Sequence, residues 1–202
     1  MRGQGALRIV GLVAHATLFL AAPANAQPAG ATAADPRVHV LDLADRIVDP
    51  LDQPGARAIV VIFTRTDCPI ANRYAPEIQR LHRAFGPKRV AFRLVYLDAG
   101  EPVEAIRTHL RQYGYDIPAL RDPRHDLVSR TGARTTPEAA VFTADRRMVY
   151  RGRIDDRYVD LNKVRASPTR HDLREALAAV LAGTPVQPRT TDAVGCLIAD
   201  LH

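Results

Sequence analysis

The chain has 202 residues, 47% of them hydrophobic and 25% charged, with a formal net charge of +6. That is enough apolar material for one domain with a real core. The 28 basic residues are nearly all arginine, with Lys88 and Lys163 the lysines, and they are spread evenly without interleaved aromatics, which argues against a nucleic-acid surface.

Residues 1–26 read as an export signal. Arg2 and Arg8 make a basic start, Ile9 to Ala22 an apolar stretch, and Ala24-Asn25-Ala26 a cleavage site. The apolar run is shorter than the roughly 20 residues that span a bilayer, so no stable membrane anchor is expected after cleavage. The expected location is exported, either periplasmic or secreted. Residues 27–36, QPAGATAADP, read as a linker, residues 37–183 as the folded domain and residues 184–202 as a C-terminal tail. Both cysteines, Cys68 and Cys196, survive cleavage. An oxidising compartment leaves them paired, capped or held reduced by a dedicated donor, and the residues leave that choice open.

Val38 to Leu43 is expected to open the fold as a short strand, with Asp49 to Gly55 a turn-rich link. Ala58 to Phe63 is a continuous apolar run rich in β-branched residues, the pattern of a strand buried on both faces. From Cys68 onward the period changes. Ile70, Tyr74, Ile78, Leu81 and Phe85 recur at spacings of four, four, three and four, one face of an amphipathic helix. Cys68 therefore falls near a helix N-terminus, where free N–H groups and the helix dipole favour a thiolate. Pro69 suits the first turn, where no N–H is needed.

Gly86-Pro87 breaks that helix. Val90 to Leu97 resumes strand character, with Arg93 an oddity at a central position, and Asp98-Ala99-Gly100 closes it. Val103, Ile106 and Leu110 predict a second helix ending near Gly114. Residues 117–132 are less regular, with Asp122-Pro123 turning into a short helix that points Leu127 and Val128 inward and ends at Gly132. The whole segment from the end of that strand to Thr135 is expected to supply the connection a parallel sheet requires.

Ala139 to Thr143 and Met148 to Arg151 read as a hairpin, opened by Thr136-Pro137, an X-Pro bond that can reach cis. If cis, the backbone beside Thr136 is free to pair with an extended substrate or to cover the sulfur. Residues 152–168 read as a long polar connection, crowded with Asp155, Asp156, Arg157, Tyr158 and Asp160, that packs over the rim of the site. Thr169 and Asp172 spell a capping box, and Leu173, Leu177, Val180 and Leu181 a closing helix that Gly183 ends. In the tail, Val194-Gly195-Cys196-Leu197-Ile198 is an apolar cluster that predicts docking.

Three features, the strand-Cys-helix junction, Pro76 eight residues after the cysteine, and Thr136-Pro137 before a later strand, together resemble the thioredoxin-like fold. Within it they resemble the redoxin, or alkyl hydroperoxide reductase and thiol-specific antioxidant-like, branch over residues 38–183. The resemblance implies an α/β fold with a mixed central sheet flanked by helices and a cis-proline facing the reactive cysteine. It also implies a thiol-dependent oxidoreductase whose nucleophile, Cys68, attacks a disulfide-bearing protein or a peroxide, with an unknown reducing partner. No phosphate-binding glycine loop is present, and no organic cofactor is expected.

The chain departs from the family in two places. Thioredoxin-type enzymes carry C-x-x-C, and here Cys68-Pro69-Ile70-Ala71 puts Ala71 at the resolving position. Peroxiredoxins carry P-x-x-x-T-x-x-C, and here Val61 and Arg65 replace the proline and the threonine, with Thr64 and Thr66 one residue to either side. Thr66, Pro69, Thr136 and Pro137 are expected to shape the pocket. Arg65 or Arg73 is expected to stabilise the thiolate against adjacent Asp67.

Cys196 is the only thiol partner in the chain, as a resolving cysteine, a structural staple, or a packed or intermolecular thiol. His82, His109, His125, His171 and His202 form no ligand pair with either cysteine, so no metal is expected. The rival reading is a non-catalytic binding module on the same fold, docking a partner protein or a metal.

Overall fold

The computed structural model describes residues 38–198. The expected export signal and linker lie outside the described residues, as does His202. Strands β1 (Val40–Asp42), β2 (Ile47–Val48), β3 (Ala58–Thr64), β4 (Val90–Tyr96), β5 (Ala119–Arg121), β7 (Glu138–Thr143) and β8 (Met148–Gly152) form one sheet in the order β2-β1-β5-β4-β3-β7-β8. β6 (Thr135–Thr136) lies outside it, immediately before β7.

β3 is central because all seven of its residues are buried. Ala58, Val60 and Ile62 face one core, while Ile59, Val61 and Phe63 face the other. It pairs in parallel with β4, and β4 with β5. β7 runs antiparallel to β3, and β8 antiparallel to β7. The sheet is therefore mixed.

Helix α1 (Pro69–Phe85) lays Ile70, Tyr74, Ile78, Leu81 and Phe85 into the first core, as their spacing predicts. Its interior Pro76 is exposed and supplies no N–H to the carbonyl of Asn72 one turn earlier. α4 (Asp172–Ala182) adds Leu173, Ala176 and Leu177 to the same core, and α2 (Val103–Gln112) adds Ile106. α3 (Asp126–Thr131) packs Leu127 and Val128 into the second. The helices flank both faces of the sheet. Arg93, in β4, is half-buried because its guanidinium donates to the Phe92 carbonyl at 2.7 Å and to the Gln53 side chain.

Three expectations are corrected. Residues 98–135 are not a single crossover: α2 carries the chain from β4 to its parallel neighbour β5, and α3 then leads to β6 and the antiparallel β7. Residues 152–168 contain a small hairpin, β9 (Tyr158–Asp160) with β10 (Lys163–Val164). It is tied down through α1, since Tyr74 donates to Asp155 at 2.6 Å and stacks obliquely on Tyr158 with ring centroids 5.6 Å apart. The expected capping box does not form. The N–H groups of Thr169 and Arg170 donate to Asp156 at 2.6 and 2.9 Å, and Asp172 pairs instead with Arg153 at 2.8 Å.

Candidate active site

Cys68 is the N-cap of α1, with extended backbone at φ −85 and ψ 107. The buried end of β3 and the start of α1 fix its position, and the residue is 0% exposed. Its sulfur lies 3.1 Å from the carbonyl oxygen of Thr136, to which the thiol donates. The Thr136-Pro137 bond is cis. Thr136 is itself fully buried, and its hydroxyl has no hydrogen-bond partner in the dithiol form, which leaves it to turn toward the thiolate.

The tail completes the site. β11 (Cys196–Leu197) pairs antiparallel with β6, setting Cys196 opposite Thr136 and Leu197 opposite Thr135, and the Ile198 N–H donates to the Arg134 carbonyl at 2.9 Å. The expected docking of the apolar cluster is thus located: Val194 and Cys196 pack on the first core and Ile198 on the second. The approach is close enough to require glycine at residue 195, where a Cβ would lie 2.0 Å from the Thr136 oxygen. Both cysteines are free thiols.

The two thiols are pushed in opposite directions. Burial alone would raise Cys68, but it is outweighed by the Cys196 thiol, the Thr136 hydroxyl and the backbone N–H groups of Ala71 and Cys196, so its pKa is lowered. Against these, the Thr136 carbonyl accepts only from the protonated thiol. Burial, then the neighbouring Cys68 and the charge of Asp67, push Cys196 up to about 12. The two thiols titrate as a coupled pair, with Cys68 the more readily ionised.

The other expected site residues divide. Pro69 opens α1 beside the sulfur, and Thr136-Pro137 faces it. Thr66 lies in the loop, but its hydroxyl donates to Glu101. Arg65 forms a two-pronged pair with Asp67 at 2.9 and 3.0 Å. Arg73 lies on the exposed side of α1, and its side chain makes no hydrogen bond or ion pair among the described residues. The structure thus brings Cys68, Thr136, Pro137 and Cys196 together, and turns Thr66, Arg65 and Arg73 to other partners or to solvent.

Two supporting groups were not singled out from the sequence. The Asn72 amide donates to the Thr66 carbonyl at 2.9 Å, which leaves its oxygen to accept from His109 Nε2 at 2.8 Å, while His109 Nδ1 faces the Tyr96 hydroxyl at 2.9 Å. Burial lowers the His109 pKa and keeps that ring neutral. Buried Glu138 accepts from the N–H groups of Arg134 and Thr135 at 2.8 and 3.2 Å and pairs with Arg151 at 3.0 Å, fixing the loop that carries Thr136. A carboxylate directly after Thr-Pro in an apolar strand was the available clue. Among the described residues no group of three metal-ligating side chains forms, and no helix is long and apolar enough to cross a membrane.

A mixed sheet flanked by helices, with a cysteine at a strand-helix junction facing a cis-proline, defines a thioredoxin-like protein. The Redoxin family model matches residues 28–166, and the chain belongs to the Redoxin family. Similar solved structures include an uncharacterized conserved protein from Geobacillus kaustophilus, 27% identical over 81% of this chain and 88% of that one, with a TM-score of 0.70. A hypothetical protein from Sinorhizobium meliloti 1021 is 23% identical over 84% and 95%, with a TM-score of 0.69. A secreted Mycobacterium tuberculosis disulfide oxidoreductase, described as homologous to E. coli DsbE, shares the fold at 18% identity over 73% and 96%, with a TM-score of 0.50. No curated protein matches the chain.

Proposed function

We propose that the protein is an exported thiol-dependent oxidoreductase in which Cys68 and Cys196 cycle between dithiol and disulfide. The observation that carries this is the pairing of Cys196 with Thr136, the residue whose carbonyl touches the Cys68 sulfur. Ala71 removes the local resolving thiol, and the tail supplies one from 128 positions downstream.

In the oxidative half, the Cys68 thiolate attacks one sulfur of a substrate disulfide and expels the other as a thiolate. Cys196 then attacks the Cys68 sulfur of the mixed disulfide, releasing the second substrate thiol and closing the Cys68–Cys196 bond. Because Cys68 has no exposed surface, the tail lifts for the first step and reseats for the second. A disulfide is favoured over a peroxide as substrate because Thr66 and Arg65, the hydroxyl and cation of the loop before Cys68, are engaged by Glu101 and Asp67. Export is supported by the arginine-flanked apolar stretch and A-x-A site of residues 1–26, taken as a cleaved leader ahead of a 37–183 domain and its tail.

The test is differential alkylation with intact-mass analysis of the mature chain, as isolated and through stepwise oxidation. Two thiols that convert to one intramolecular Cys68–Cys196 link are expected. A Cys68 that stays a slowly alkylated, oxidant-insensitive thiol would leave the fold as a binding module.

A further inference from the structure

The two cysteines are unequally placed, and the inequality bears on how the oxidised form is reduced. Cys68 is 0% exposed and packed in the core with Ile70, Ala71 and Tyr74. Cys196 is half-buried on a strand that pairs with β6 on one side alone, and the next residue, Leu197, is 76% exposed. A disulfide between them runs from the core outward to the tail.

Thiol–disulfide exchange is an in-line displacement: the incoming sulfur approaches the attacked sulfur from the side opposite the one that leaves. Attack on Cys68 would have to come through the core behind α1. Attack on Cys196 comes from the open side of β11. We propose that Cys196, not the junction cysteine Cys68, is the sulfur that a thiol reductant attacks, with Cys68 the leaving group. This rests on the disulfide cycle proposed above.

In the first step a reductant thiolate forms a bond to Cys196 Sγ, the Cys68–Cys196 bond breaks, and its electron pair leaves on Cys68 as a thiolate. A second thiol of the reductant then displaces Cys196. Cys196 takes up a proton, and the reductant ends as a disulfide. Both ends of the exchange suit the environments described: the Thr136 hydroxyl and the backbone N–H groups of Ala71 and Cys196 still face Cys68 as it leaves, and once both thiols are free Cys196, pushed up to about 12, is the one that keeps a proton. Gly195 holds this polarity in place, since a Cβ there would meet the Thr136 oxygen at 2.0 Å and unseat the strand.

The experiment starts from the full mature chain, oxidised and shown by intact mass and peptide mapping to carry the Cys68–Cys196 disulfide. A short pulse of glutathione is quenched with acid, free thiols are capped with a maleimide, and the early products are mapped and extrapolated to zero time. Glutathione on Cys196 with maleimide on Cys68 is expected to exceed the reverse product by about tenfold or more. Glutathione found first on Cys68, or on the two cysteines equally, overturns the inference and leaves the disulfide cycle standing. Failure of the wild-type chain to form the disulfide at all overturns the cycle and the inference together.

Discussion

The ionisation of Cys68 is decided by its contacts. Burial opposes the thiolate, and the Cys196 thiol is first among the groups that reverse the balance. Cys196→Ala is therefore expected to raise the Cys68 pKa, and Cys196→Ser, which keeps a donor, to fall between that variant and the wild type. Thiolate absorbance followed through pH in each chain measures this; a wild-type Cys68 titrating at or above about 8.5 would end the thiolate reading. The linkage has a definite sign. A depressed Cys68 pKa contributes stability above the unfolded thiol's pKa that is lost as pH falls through the folded value, whereas Cys196, raised to about 12, contributes below the unfolded value and loses it as pH rises toward 12. At this scale the sequence was most legible where the backbone alone decides: Cys68 and Pro69 follow from where a buried strand meets an amphipathic helix. Thr66, Arg65 and Arg73 were not legible. Their side-chain directions are set by Glu101, by Asp67 and by the turn of α1, and spacing from a cysteine carries none of that.

Elements long enough to carry a period were readable, and those that exist only because a partner holds them were not. β3 and α1 bury continuous or periodic apolar faces, whereas β5 has three residues and β6 and β11 two each, all fixed by neighbours distant in sequence. The tail had an apolar cluster to announce docking and nothing to say that Thr136 receives it. Its course shows how firmly it is held. Before reaching β6 it runs beside β8, where Thr190 bridges Arg151 and a Cβ at Gly152, already at φ +149, would meet the Thr191 backbone oxygen at 2.3 Å. Gly152→Ala is expected to displace this upstream anchor and speed alkylation of Cys68; an unchanged rate would mean that β11 seats without it. Behind the loop, Asn72→Ala strips partners from the Thr66 carbonyl and His109 and should cost about 1–3 kcal/mol in urea unfolding. At the start of α4, burial disfavours the Asp156 charge, but the Thr169 hydroxyl and the N–H groups of Arg170 and Thr169 more than offset it, lowering the pKa from 3.8 to about 2. That carboxylate contributes stability above its unfolded pKa and loses it as pH falls from about 4 to about 2, so Asp156→Asn should flatten the acid limb of the stability profile there.

For the molecule as a whole, a Cys68–Cys196 bond would close a loop over most of the folded chain. The tail is already seated in the dithiol form, through β11 on β6 and through Thr190 beside Arg151, so oxidation would cross-link neighbours without requiring the fold to rearrange. The gain then lies chiefly in the unfolded chain, where closing a loop of on the order of a hundred residues is worth about 4–5 kcal/mol by loop entropy. Working against it, the disulfide gives up the contacts that stabilise the Cys68 thiolate, so the oxidised chain is expected to exceed the reduced one by somewhat less than the loop entropy alone. Equilibrium unfolding of both redox forms, with Cys196→Ser as a control that should show no redox dependence, measures the difference. An oxidised chain no more stable than the reduced one would mean that the bond strains the fold it joins by as much as loop closure gains, and that the cross-link is more readily reduced for it.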